Sequence, residues 1–339
     1  MRPTIYTVAE EAGVSIATVS RVLNGNARVS EETRARVSRA MATLNYQPNA
    51  SARGLAANTT GTLALVFPAL SGPFFSTLIQ GAETEACESG YHLLIYGTSG
   101  DTLGTENQTL GLLASKVDGM ILATESVSHC YLQELRDQAV PIVMLGGAPS
   151  DIVVDSISPD NVEGAANMVA HLIGHGYRRI AMIRGPETQS HASDREIGYQ
   201  KALRDHGLLF HPELVIAGAF DERSGYVAML RLLQQVPIPE AVFAANDQMA
   251  IGAMAAIREN GLRVPEDIAL AGFDDIETAR YVQPPLTTVH QDIYGQGQLA
   301  VRMLVARVNE ADAAIENREI PTKLVIRQSC GCNHSLDVV

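Results

Sequence analysis

From residue 62 onward the chain alternates short apolar, β-branched runs with amphipathic stretches of helical length, repeatedly, as far as residue 328. No other feature constrains the fold as much, because strand, helix, strand repeated many times builds a parallel sheet wrapped by helices. The expected strands are 62–68, 91–97, 118–124, 141–146, 178–185, 213–218, 241–246 and 267–273, and the helices between them include 74–89, 161–175, 194–206, 224–235 and 248–260. The pattern runs longer than one sheet usually holds, so two lobes are expected. Two closing strands, 287–292 and 322–328, flank one more helix at 293–309, as though the chain returned to both lobes.

Residues 4–46 have a different texture, three helical patterns in quick succession. The first starts at Thr4 as N-cap and ends near Ala12, after which Gly13 supplies a sharp turn. Ser15 caps a second helix that runs to Asn24, with Val19, Val22 and Leu23 on one face and Ala17, Ser20, Arg21 and Asn24 on the other. Ala9 is small where these two helices must cross. Ser30 caps a third helix, with Glu31 and Glu32 in the first turn, where the helix dipole favours acids, and with Val37, Met41 and Leu44 as its buried stripe. This is helix-turn-helix geometry, in which the second helix offers its N-terminal polar face to a DNA major groove. Residues 45–61 are rich in Pro, Asn, Thr and Gly, as linkers are.

The formal net charge of −13 on 339 residues argues against a phosphate-rich partner. That average hides an asymmetry: residues 1–58 hold seven basic residues against four acids, a net of +3, which leaves −16 on the rest. The basic head is where nucleic acid contact is expected. No run approaches the ~18–20 apolar residues that span a bilayer, and the N-terminus lacks a signal peptide's apolar core, so a cytoplasmic protein with no membrane partner is expected. Cys87, Cys130, Cys330 and Cys332 are too few and too irregular for a disulfide scaffold and are read as reduced.

The string Thr7-Val8-Ala9-Glu10-Glu11-Ala12-Gly13-Val14-Ser15-Ile16-Ala17-Thr18-Val19-Ser20-Arg21-Val22-Leu23-Asn24 resembles the N-terminal signature of the lactose/galactose repressor family. The match continues through Val29-Ser30-Glu31-Glu32-Thr33-Arg34 and Leu44-Asn45-Tyr46-Gln47-Pro48-Asn49-Ala50-Ser51-Ala52-Arg53-Gly54-Leu55. The resemblance implies a DNA-binding set of Thr4, Ser15, Ile16, Ala17, Thr18, Ser20, Arg21, Asn24, Arg28, Ser30, Thr33, Tyr46, Asn49, Ala52 and Leu55. Within it Ile16, Ala17 and Arg21 face base edges, and Arg21 is placed for the bidentate guanine contact that Arg favours. Ser15, Thr18, Asn24, Arg28, Ser30 and Thr33 position phosphates. Residues 49–57 resemble the family's hinge helix, with Leu55 as a minor-groove wedge and Ala52 packed beside its dimer mate.

Most of the remaining chain resembles the family's effector domain, similar in fold to periplasmic sugar-binding proteins. The matching landmarks are Gly72-Pro73-Phe74-Phe75, Pro159-Asp160-Asn161, Arg195-Glu196-Ile197-Gly198-Tyr199, Ala245-Asn246-Asp247-Gln248-Met249-Ala250, Gly272-Phe273-Asp274-Asp275 and Pro284-Pro285-Leu286-Thr287-Thr288-Val289. The implied organisation is a helix-turn-helix domain over 1–48, a hinge helix and linker over 49–60, an effector-binding and dimerisation domain over 61–331, and a tail over 332–339. Lobe one takes about 61–159 and 292–321, and lobe two about 160–290 and 322–331. A polyol needs paired donors and acceptors plus an aromatic face. Arg195, Asn246 and Asp274 are read as hydroxyl contacts, Phe74 and Phe220 as apolar faces, and Asp160 and Gln291 as further contacts. Asp247 and Asp275 are expected to cap the following helices, a task Asn246 could share. The loop after 141–145 reads Gly146-Gly147 where several sugar-binding relatives carry a polar side chain, so one polar contact is missing.

The expected function is a transcriptional regulator, most often a repressor in this family, that binds a pseudopalindromic operator as a homodimer and answers to a small effector. A sugar is the first choice, a purine corepressor the alternative, and a stand-alone sugar-binding protein a third. No enzyme is expected. Gly97–Gly104 and Gly295-Gln296-Gly297 lack the order of a dinucleotide loop, and neither a Gly-x-Ser-x-Gly elbow nor a His-Glu-x-x-His helix occurs. Neither a cofactor nor a metal is expected. Cys330, Cys332 and His334 do not close a tetrahedral site and read as a frayed, reduced tail, and the nine histidines are read as showing no i, i+4 pair. Nine residues make too short a helix to stand alone, and Gly54 costs it about 1 kcal/mol against Ala. Amides in 49–57 are therefore expected to exchange freely without operator and slowly on it; strong protection in the free protein would contradict the hinge reading.

Overall fold

The computed structural model describes residues 3–23, 29–46, 59–67, 72–98, 110–122, 129–148 and 152–332, and the chain divides into two units, Met1–Gly61 and Thr62–Val339.

In the first unit, helices α1 (Ile5–Ala12), α2 (Ile16–Leu23) and α3 (Glu31–Thr43) start where their caps require. Thr4 Oγ1 accepts from the Thr7 amide while Thr7 Oγ1 accepts from the Thr4 amide, a reciprocal capping pair. Ser15 and Ser30 accept from the amides of Thr18 and Thr33 at 3.2 and 3.3 Å. Gly13 ends α1 at φ +60°, in the left-handed region that a Cβ disfavours. Val8, Ala9, Ala12, Val19, Val37 and Ala40 are buried together, with Met41 and Leu44 packed at the edge. Arg36, unremarked in the sequence, donates to the carbonyls of Ala12 at 2.5 Å and Gly13 at 3.0 Å. A cation thus sits at the negative end of α1.

The second unit holds two parallel sheets. Strands β1 (Thr62–Phe67), β2 (His92–Gly97), β3 (Gly119–Leu122), β4 (Ile142–Leu145), β5 (Asp155–Pro159) and, from far downstream, β11 (Asn317–Ile320) form the first, in the order β11-β5-β4-β3-β1-β2. Leu63, Leu65 and Phe67 face α4 (Pro73–Glu88) and α10 (Ile293–Asn309), while Ala64 and Val66 face Leu110, Leu113 and α5 (His129–Asp137). Both faces are covered, which is why β1 reads as an unbroken apolar run. The second sheet has the order β7-β6-β8-β9, from β6 (Ile180–Arg184), β7 (Val215–Ala217), β8 (Ala241–Ala244) and β9 (Ala269–Ala271). Its helices are α6 (Asn161–Gly174), α7 (Ser190–Asp205), α8 (Glu222–Leu232) and α9 (Asp247–Glu259). β10 (Thr288–His290) pairs antiparallel with β12 (Lys323–Val325), and Thr287 bridges Ala271 at the edge of β9. The chain therefore passes to the second sheet after β5, returns through α10 and β11, and crosses once more to β12.

Several expected strands are shorter than read. Those at 178–185, 241–246 and 267–273 end at Arg184, Ala244 and Ala271, and beyond β9 Phe273 and Asp274 lie beside Arg195. Helix α7 begins at Ser190 rather than at 194. The structure adds β5, β11 and α5, which the pattern did not reveal. Strand β5 is buried although its sequence is Asp-Ser-Ile-Ser-Pro. Asp155 accepts from Arg307 Nε at 2.8 Å and Nη2 at 3.0 Å and from the Glu316 amide at 2.8 Å. Ser156 donates to Asn317 Oδ1 at 2.8 Å. Asp155→Ala removes the counter-ion of Arg307, which keeps the carbonyls of Ala311, Ala313 and Ala314, and is expected to cost about 1–3 kcal/mol, measurable as a lowered denaturant midpoint.

Candidate functional site

On the head, the N-terminal end of α2 is the exposed polar surface. Val19 is fully buried, whereas Ser15, Ile16, Ala17 and Arg21 are exposed and Thr18 and Ser20 half-buried. The hydroxyls of Ser15 and Thr18 share a hydrogen bond of 2.9 Å, and Ser30 donates to Thr33 Oγ1 at the same distance. These caps hold their own side chains at the surface, where a hydroxyl that does not spend its proton within the pair can donate to a phosphate. Thr4 is exposed, but Tyr46 packs half-buried against the head's core. Asn24, Arg28, Asn49, Ala52 and Leu55 lie outside the described residues. Tyr6 is 68% exposed on α1.

The second site lies at the carboxyl ends of the parallel strands, the expected crevice of open α/β sheets. Its centre is Arg195 on α7, only 4% exposed. Its guanidinium donates to Asn161 Oδ1 at 2.9 Å, to the Ala245 carbonyl at 2.5 Å and to Asp274 Oδ1 at 3.3 Å, and lies 3.7 Å from the centroid of the Phe273 ring. Gln291 donates to the same Asp274 oxygen at 2.5 Å and is held in turn by Gln296. Burial pushes the Asp274 carboxyl up to about 6, against the opposing pull of Arg195 and Gln291. Asn246 caps α9 by accepting from the Met249 amide and donates to the Phe220 carbonyl at 3.1 Å. Phe220 stacks on His191 with centroids 5.2 Å apart, and burial, with Arg195 nearby, lowers the His191 imidazole to about 3, so it is neutral at pH 7.

Strain concentrates here. Phe220, Asp274 and Asp275 are non-glycine residues at φ +62°, +117° and +55°, conformations that persist only where the surroundings impose them and that cluster at functional sites. Asn161 Nδ2 is, among the described residues, the buried side-chain polar atom without a partner. Its Oδ1 is committed to Arg195, so the free group is a donor beside that guanidinium.

Arg195, Asp274 and Gln291 are thus joined through hydrogen bonds, Asn246 and Phe220 are joined to each other, and Asp160, the N-cap of α6, adjoins Asn161. Phe74 packs against Phe75 and the core of the first sheet's layer. Two expectations are corrected. Asp247 does not cap α9, because it is buried and accepts from Thr288 Oγ1 at 2.5 Å and the Ile276 amide at 2.9 Å. Asp275 caps no helix; it accepts from Arg327 at 2.6 Å and faces His290 at 3.2 Å. The Gly146-Gly147 loop does supply a polar group, its backbone: the Gly146 carbonyl accepts from Ser190 Oγ at 3.1 Å, and both glycines adopt positive φ. Asn161, Ser190 and His191 were missed; Asn161 stands at an expected helix start, whereas Ser190 and His191 precede the one expected at 194 and open the helix only in the fold.

The reading that pairs no histidines is also wrong. His171 and His175 stand one turn apart along α6 and its C-cap, with ring centroids 4.7 Å apart. Cys330 is buried and bonded rather than part of a frayed tail, and His334 lies outside the described residues.

Residues 4–49 match the bacterial regulatory proteins of the lacI family, and residues 169–330 match the periplasmic binding protein-like domain. The chain is 37% identical over 327 residues to the HTH-type transcriptional repressor PurR of Pasteurella multocida (strain Pm70), an alignment covering 96% of this chain and 98% of that protein. It is 37% identical over 329 residues to the ribose operon repressor of Escherichia coli (strain K12), covering 96% and 99%. The lac repressor dimer bound to operator and the anti-inducer ONPF is similar in structure, with a TM-score of 0.88, 32% identity, and 97% and 99% of the two chains covered.

The Asp274 carboxyl, at about 6 in the fold against its usual 3.8, holds its proton more tightly folded than unfolded. Between those values the unfolded chain ionises first, so this group lowers stability as pH rises through the window. Asp274→Asn is expected to flatten that part of the slope, read by urea unfolding at steps of pH across it; an unchanged slope would show that Asp274 is not the group responsible.

Proposed function

Because the chain belongs to the lacI family of bacterial regulatory proteins, we propose that a sugar or sugar derivative binds at Arg195 and weakens a homodimer's hold on a pseudopalindromic operator. The protein is a DNA-binding transcriptional repressor whose operator affinity a small ligand controls. Its setting is the cytoplasm, and its chemistry is binding rather than turnover.

The observation that carries the effector reading is the orphaned Asn161 amide beside Arg195 in the crevice. A sugar hydroxyl both donates and accepts, so it satisfies that donor while its neighbours reach Arg195 and Asp274. Phe220 offers a flat apolar face to the ring, with Phe74, Asp160, Asn246 and Gln291 as further contacts or supports. The neutral His191–Phe220 stack favours a second reading, a purine corepressor lying against the two rings.

On the head, Ile16, Ala17 and Arg21 read base edges, while Thr4, Ser15, Thr18, Ser20, Asn24, Arg28, Ser30, Thr33, Tyr46 and Asn49 position the backbone. Leu55 and Ala52 act from paired hinges. The working division is a head over 1–48, a hinge over 49–60, an effector domain over 61–331 and a tail over 332–339. The effector changes the angle between lobes and so the spacing of the hinges; a tenfold loss of operator affinity needs only about 1.4 kcal/mol of coupling.

Selection from random duplex DNA is expected to return a pseudopalindrome, with Arg21→Ala costing about 1–3 kcal/mol at one base step of each half-site. A thermal-shift screen of pentoses, hexoses, disaccharides and purine bases identifies the effector class, and Arg195→Ala is expected to weaken that ligand about 10–100-fold while leaving operator binding intact. Failure to select any pseudopalindrome at low salt would sink the operator reading; stabilisation by purine bases alone would replace the sugar by the corepressor.

A further inference from the structure

At the opposite end of α6 from Asn161, two histidines and two cysteines converge. His171 lies in the last turn of α6 and His175 is its C-cap residue, so their side chains emerge on one face one turn apart. Cys330 and Cys332 follow β12 from the other end of the unit. His171 Nε2 is 3.4 Å from Cys330 Sγ and 4.0 Å from Cys332 Sγ, and His175 Nε2 is 3.1 Å from Cys332 Sγ. All four ligand atoms lie within 4.8 Å of one another. Ligands at Zn–S and Zn–N distances around one tetrahedral centre stand about 3.3–3.8 Å apart, and the three named separations straddle that range.

The backbone is shaped for this arrangement. Gly331 between the cysteines adopts φ +94°, and a Cβ there would come within 2.9 Å of the Tyr177 hydroxyl, so a larger residue would disturb the turn. Ser329 donates to the Leu270 carbonyl at 2.6 Å and accepts from the Thr287 amide at 2.8 Å, fixing the residue before Cys330. Thr287 Oγ1 lies 3.2 Å from Cys330 Sγ, oriented to donate to the sulfur, the kind of supporting hydrogen bond that orients a metal ligand. Both cysteines are free thiols, and burying a thiolate, as Cys330 would, needs a nearby cation.

We infer that His171, His175, Cys330 and Cys332 form a tetrahedral zinc site that clips the end of the described chain to the C-terminal end of α6. Two thiolates and two imidazoles suit a borderline-soft d10 ion, and four protein ligands leave no open position, which makes the ion structural rather than catalytic. The site is independent of which effector binds and of the operator.

The test uses the full-length, tag-free chain, reduced and stripped of metal, titrated with cobalt(II) and then zinc(II). One cobalt per chain is expected to give the intense ligand-field bands of a tetrahedral ion and thiolate-to-cobalt charge transfer, both abolished by one equivalent of zinc. Zinc is expected to raise the thermal midpoint of the wild type by mass action on the folded state. His175→Ala, at an exposed side chain that folding does not need, and Cys332→Ser are expected to lose the tetrahedral spectrum and to weaken zinc by more than the about 10–100-fold that loss of a ligand's hydrogen-bond partner costs. Absence of stoichiometric cobalt binding to folded wild type, or a spectrum unchanged in His175→Ala, would overturn the site. So would a Cys330–Cys332 disulfide that survives reduction in the intact-mass spectrum.

Discussion

One buried cation organises the crevice. The Arg195 guanidinium is too costly to bury alone, and its partners come from separate parts of the chain: Asn161 at the start of α6, the Ala245 carbonyl after β8, and Asp274 with the Phe273 ring after β9. Satisfying it therefore ties the carboxyl ends of two strands to the amino ends of two helices. Gln291, just beyond β10 on the return path to α10, completes the shell by holding Asp274. The place where the chain changes lobes is thus bonded to the place where a ligand would sit, which is the physical precondition for a ligand to bias the angle between lobes.

The same network extends away from the crevice. Asp275, adjacent to Asp274, accepts from the buried Arg327, whose amide and guanidinium also bond Thr287 and the Leu286 carbonyl. Three residues later the chain reaches Cys330. Asp247, fully buried next to the capping Asn246, takes the Thr288 hydroxyl and the Ile276 amide, and burial together with the neighbouring Asp274 raises its carboxyl well above the ordinary range. The adjacent residues Asn246-Asp247 and Asp274-Asp275 thus divide their tasks: the first of each bonds toward Phe220 or Arg195, and its neighbour anchors the strand end behind it.

The charge distribution follows the division of labour. The net −16 belongs to residues beyond 58 and the +3 to the head, so attraction to phosphate is confined to the small unit that presents α2. The hydroxyls of Ser15, Thr18, Ser30 and Thr33 are already fixed by helix caps, so their rotamer freedom is restricted in the free fold.

The sequence by itself determined what depends on neighbours within about four residues. Thr4, Ser15, Ser30 and Gly13 set the head's helices, the apolar runs set the central strands of both sheets, and the family resemblance singled out Arg195 at a helix start and Asn246 and Asp274 after strand ends as candidate contacts. Tertiary structure decided whatever a distant partner controls. Asp155-Ser156 became a buried strand because Arg307 and Asn317 neutralise its polarity from some 150 residues away. Asp247 and Asp275 became anchors rather than caps because Thr288 and Arg327 arrive from later strands. His171 and His175, legible as a pair in the sequence, gained meaning only when Cys330 and Cys332 were brought to them. A cap or an apolar stripe is satisfied locally and can be read locally; a buried polar group is stable only with its partner, and the fold alone chooses that partner.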